Sequence, residues 1–123
     1  MAIRRFVVPV TTAADGSATA YTPRVSGKVV SIRYVKTDYA DTVDFTITAE
    51  ATGEGIWTEE NVTATTSRYP RAATHSNAGV AALYAAGGTG VLAPVALGRD
   101  RVKIVLANGG DTTTGAFHVV VDG

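Results

Sequence analysis

Residues 27 to 50 read GKVVSIRYVKTDYADTVDFTITAE, two runs dense in β-branched and aromatic side chains joined by a short acidic connection. Alternation from Lys28 to Lys36 sets Val30, Ile32 and Tyr34 on one face and Val29, Ser31, Arg33 and Val35 on the other, and the first set is predicted to face the core. In Asp44 to Ala49, Phe45 and Ile47 point one way and Thr46 and Thr48 the other, the pattern of a strand with one wet face.

The same texture runs outward in both directions. Val, Ile and Thr make up 40 of the 123 residues, a bias that belongs to pleated strands because branched side chains lose rotamer freedom in helices. Toward the N-terminus, Ile3 to Thr12 puts Arg4, Phe6, Val8 and Val10 on one face, with Ile3, Arg5 and Val7 on the other. Pro9 has no N–H for a ladder, so this is predicted to be an edge strand. Ala14 to Gly16 is a hairpin signal, with Ser17 to Tyr21 as the returning strand.

Beyond residue 50, Ile56 to Thr58 starts a strand in which Trp57 is expected to anchor the core, and Asn61 to Arg68 is weakly strand-like up to Tyr69-Pro70. Val91 to Leu97 is strand text interrupted by Pro94 and turned by Gly98. Arg101 to Leu106 faces Val102, Ile104 and Leu106 inward, and Phe117, Val119 and Val121 close the fold. Seven to nine short strands with turns at this spacing predict one all-β domain over 1–123, an antiparallel β-sandwich of Ig-like or jelly-roll connection.

Residues 72–90 break the pattern, since Ala and Gly fill 11 of 19 positions. Each of four glycines there costs about 1 kcal/mol against Ala in a helix, so the segment is predicted to be a long loop with at most a short helical turn around Ala78 to Ala85. Long loops in compact domains are often functional.

Charge is balanced at 11 basic and 11 acidic residues, which leaves no basic field for nucleic acid or an anionic membrane. Cysteine is absent, so disulfides and thiolate chemistry are excluded. No run reaches membrane-spanning length, and MAIRRFVVPVTT lacks the apolar core of a signal peptide; a cytoplasmic origin is expected.

Catalytic and metal-binding patterns are equally thin. His75 and His118 have no ligand-spaced neighbours, and Asp38, Asp41 and Asp44 lack the density and turn glycine of a calcium loop. The side chains of Glu59 and Glu60 point to opposite faces of a strand, and Ser31, Ser67 and Ser76 have no recognisable base. The reading is of a non-enzymatic protein without cofactor or metal.

The line SATAYTPRVSGKVVSIRYVKTDYADTVDFTITAE at 17–50 resembles a small structural protein of tailed bacteriophages. ATGEGIWTEENVTAT at 51–65, YPRAATHSNAG at 69–79, LYAAGGTGVL at 83–92, DRVKIVLANGG at 100–110 and TGAFHVVVDG at 114–123 continue the resemblance. It implies a virion protein made in the host cytoplasm, a head decoration or cement protein that binds the major capsid protein and forms homo-oligomers. On that expectation the contact residues are Arg4 and Arg5 at the N-terminus, Arg68 and Arg71 flanking Pro70, and His75, Asn77 and Tyr84 in the Gly/Ala segment. The alternative is a tail-associated or receptor-binding module in which Tyr39, Trp57 and Tyr69 stack on sugar faces.

Overall fold

The computed structural model describes residues 2–83 and 88–123, and these form ten strands and no helix. They are β1 (Ile3–Thr11), β2 (Ala18–Tyr21), β3 (Val25–Lys36), β4 (Asp44–Ala49), β5 (Gly55–Glu59), β6 (Thr66–Arg68), β7 (Arg71–Ala73), β8 (Leu92–Asp100), β9 (Val102–Ala107) and β10 (Thr114–Asp122). Two antiparallel sheets result. One runs β1-β10-β3-β8-β7 with β6 also on β3, and the other runs β2-β9-β4-β5. The inward side chains of both sheets meet in one apolar cluster, the arrangement of a β-sandwich.

The alternation read from sequence places most of the core. Val8, Val10, Ile32, Tyr34, Phe45, Ile47, Trp57, Val102, Ile104, Leu106, Phe117, Val119 and Val121 are all buried. As Pro9 requires, β1 lies at a sheet edge, paired only with β10.

Four expectations need correction. Val30 is not a core residue; Val29 is fully buried in its place. The β10 ladder slips between Val120, opposite Ser31, and Val121, opposite Val29, so a bulge at Val30 reverses the inward phase of β3 halfway along. Second, β1 and β2 do not form a hairpin. The turn closes as read, with Gly16 N donating to Ala13 O at 3.0 Å and Gly16 at φ +82°, but β2 pairs with β9 in the other sheet. Third, β8 does not end at Gly98 but continues to Asp100, past a register shift opposite Val25 and Gly27. The fourth concerns residues 78–83, which are turned and bridged as β structure; residues 84 and 85 lie outside the described residues.

The acidic connection between β3 and β4 carries the chain from one sheet to the other, and aromatic packing fixes it. Tyr39 lies in this connection, buried, with its ring stacked on Tyr34 at 5.8 Å and its hydroxyl donating to Val10 O on β1 at 2.5 Å. Tyr34 packs in turn on Phe45 at 5.1 Å and Phe117 at 5.4 Å, and Phe45 meets Trp57 edge-on at 4.6 Å. Gly115 is required beneath Tyr39: a Cβ there would overlap the ring and sit 2.7 Å from Val35 O.

The two stacked tyrosines differ in one respect. The Tyr39 hydroxyl is satisfied, whereas the Tyr34 hydroxyl is the one buried side-chain polar atom among the described residues without a partner. Tyr39→Phe is therefore expected to cost about 1 kcal/mol, and Tyr34→Phe to be neutral or slightly stabilising, in urea unfolding. Equal losses for the two variants would refute this account.

Both phenols also resist ionisation. Burial, reinforced by the negative charge of Asp41, pushes Tyr34 up to about 12, and burial raises Tyr39 as well. Because the folded chain holds these protons more tightly, their contribution is complete below the ordinary phenol value of 10.0 and is lost as pH rises toward about 12. Ultraviolet titration should show Tyr34 and Tyr39 ionising only together with alkaline unfolding.

Candidate functional site

The described part of the predicted loop, residues 72–83 and 88–90, forms an arm that is hydrogen-bonded to itself. It leaves β7 at Ala73 and returns at Leu92, the residue paired with Ala73 in β8. Just beyond that pair the chain meets itself three ways: Thr74 N donates to Val91 O at 2.8 Å, Ala82 N to Thr74 O at 2.7 Å, and Val91 N to Ala82 O at 3.0 Å. The Thr74 hydroxyl closes the junction onto Val91 O at 2.8 Å. Two antiparallel bridges extend from it, His75 with Ala81 and Leu83 with Gly90.

The first of these ends in a turn built by Ser76. Its N–H donates to Val80 O at 2.8 Å, and its hydroxyl accepts the N–H groups of Ala78 and Val80 at 3.3 Å. Gly79, at φ +82°, supplies the left-handed residue that the turn needs. His75 and Asn77 are exposed on this turn, and Tyr84 falls outside the described residues.

What the arm presents is apolar. Val80 is 65% exposed, Leu83 45% and Leu92 58%. Residues 72–98 contain no Asp, Glu, Lys or Arg, so all 22 charged residues lie elsewhere in the chain. An uncharged run of 27 residues is the sequence signal that marks the arm as a surface, and counting Ala and Gly alone does not reveal it. Charge depletion with exposed apolar side chains is the composition of an interface core.

At the root of the arm the two arginines are engaged within the chain. Arg68 grips Glu59 through two bonds, Nε to Oε1 at 3.0 Å and Nη2 to Oε2 at 3.1 Å. Its guanidinium lies 5.8 Å from the Trp57 ring centroid, and Trp57 Nε1 donates to the same Glu59 at 2.9 Å. Arg71 donates to Val30 O at 3.1 Å and to Pro70 O at 2.7 Å. It therefore caps the bulge carbonyl on β3 at the point where β8 gives way to β6 as neighbour.

Two shallow hollows share the Glu59–Arg68 pair. One, of about 280 Å³, lies between Ile56, Trp57 and Glu59 on β5 and the turn 68–71; the other, of about 260 Å³, is lined mainly by residues 61–66.

The remaining candidates are spread over the molecule. Arg4 and Arg5 point to opposite faces of β1. Arg4 lies 5.9 Å from the Phe6 ring centroid, and Arg5 Nη1 donates to His118 Nδ1 at 3.4 Å. The three loop aspartates diverge: Asp38 accepts from Thr114 N, Asp41 pairs with Lys36, and Asp44 holds Asn61 N at 2.9 Å and Asn108 Nδ2 at 2.8 Å. Those last two bonds keep the Asp44 carboxyl below its usual range. Of the three aromatics considered for sugar stacking, Tyr39 and Trp57 are buried, leaving Tyr69 exposed.

Comparison with protein-family models, with curated proteins and with solved structures gave no match for this chain.

Truncating Arg68 to Ala should remove both the carboxylate clamp and the cover over Trp57. The half-exposed pair contributes roughly 1 kcal/mol or less, so the protein should stay folded while Trp57 emission moves to the red. Unchanged emission would show that Arg68 does not shield the indole.

Proposed function

We propose that this protein is a non-enzymatic structural component of a tailed-phage virion, which decorates the capsid exterior by binding the major capsid protein lattice. The observation that carries the reading is the arm, an uncharged excursion, hydrogen-bonded at its root, whose described residues hold Val80, Leu83 and Leu92 in water at the side of the sandwich. Such a surface suits burial against another protein, and hydrogen bonding at its root limits the entropy lost when it docks. The resemblance of the segments quoted above to small phage structural proteins suggests the partner. Decoration repeats the same modest contact over a lattice, so binding gains from multivalency if the protein is itself a homo-oligomer. On this reading the protein acts on the virion surface after synthesis in the host cytoplasm.

The test is cosedimentation with head shells that lack the protein, prepared from the phage that encodes it. Binding should saturate at a fixed ratio to the major capsid protein. Val80→Asp combined with Leu83→Asp should weaken it by about ten-fold or more while leaving the unfolding curve unchanged. Occupancy equal to wild type with both aspartates in place would remove the arm from the interface, and protein found at the tail of intact virions would redirect the reading to receptor recognition.

A further inference from the structure

We propose that the outer face of the six-stranded sheet, from β1 across β10 to β3, is a second docking face, and that it takes a protein surface bearing carboxylates. It rests on the reading above only in identifying that surface with the capsid shell.

Cross-strand register builds the face. Val7, His118, Arg33 and Ser67 form one row across β1, β10, β3 and β6, and Arg5, Val120 and Ser31 form the next. A third row holds Ile3, Asp122 and Lys28. Arg33 donates to the Ser67 hydroxyl at 3.0 Å, and Arg5 to His118. Among the described residues, none of Arg5, Lys28 and Arg33 has a carboxylate oxygen within 4.0 Å. Asp122 is the one acid in these rows. Ile3 and Val7 on the same face are both more than half exposed.

The opposite side of the sandwich differs in kind. There the outer rows are Thr19, Val105, Thr46 and Thr58, then Tyr21, Lys103 and Thr48. Tyr21 is the exposed large apolar residue of that face, and the Arg101 guanidinium covers it at 3.9 Å from the ring centroid. Hydroxyl groups keep this side wet. The β1–β10–β3 side combines valines with unpaired cations, which supplies area to exclude water and charge to select a partner. Two copies stacking this face on itself would oppose cation with cation, so the fitting occupant is a different surface rich in Asp and Glu.

The test compares two variants that carry the same change in net charge. Arg5→Glu/Arg33→Glu alters the proposed face; Lys103→Glu with Thr46→Glu and Thr58→Glu alters the threonine face. Each is assayed on head shells across a salt series and on a resin bearing poly-glutamate. Salt-sensitive shell binding that falls about ten-fold or more for the first variant and holds for the second would support the face. Shell binding by the first variant equal to wild type overturns the face and leaves decoration standing. If wild-type protein binds no shells, yet poly-glutamate retention is lost in the first variant alone, the face stands and decoration falls. An oligomer in sedimentation equilibrium that Arg5→Glu/Arg33→Glu dissociates would assign the face to a second copy and overturn the partner named here.

Discussion

The sandwich depends on contact between aromatic rings contributed by both sheets. Tyr34 and Phe117 come from the six-stranded sheet, Phe45 and Trp57 from the four-stranded one, and Tyr39 from the strap between them. Phe45 meets Phe117 edge-on at 5.2 Å across the interior, which ties the sheets directly. With few leucines and many small alanines, these five rings supply a large share of the volume that two sheets about 10 Å apart must fill. Gly115 is the counterpart of that demand, because the ring of Tyr39 occupies the space a side chain would need.

Fold class and most inward faces were legible because period-two alternation reports burial directly, as in Val102, Ile104 and Leu106 or Phe117, Val119 and Val121. The reading lost phase where the backbone inserted a residue. Val29 and Val30 are chemically identical, so nothing in the side chains signals which one the bulge turns inward. Pairing was also hidden: the turn at Gly16 is a good hairpin turn, yet β2 pairs with β9 in the other sheet and not with β1. The candidate site was half legible. The segment 72–90 was singled out by composition, but its three-way junction depends on contacts such as Thr74 with Val91 that no local pattern encodes. Arg68 and Arg71 read as free anchors because Glu59 and the Val30 carbonyl become their neighbours only once the sheets form.

A chain of zero net charge can still be strongly uneven, and this one is. Its apolar exposure gathers on the six-stranded sheet and the arm that grows from it, while the other sheet turns threonines outward. The described part of the arm and the cationic rows therefore belong to the same sheet. For a protein proposed to coat a shell, such sidedness separates what is held from what faces the medium.

The place of β10 has a consequence for how the molecule comes into being. It lies between β1 and β3, so the middle of the larger sheet is completed by a strand drawn from the far end of the sequence. During synthesis the ribosome releases β1 and β3 before β10 exists to join them, and each must wait with an open edge. Pairings of such high sequence separation are slow to nucleate, and their delay leaves the nascent chain open to association with its neighbours. A protein assembled in this way commits to its native state late, as a unit, once β10 has emerged.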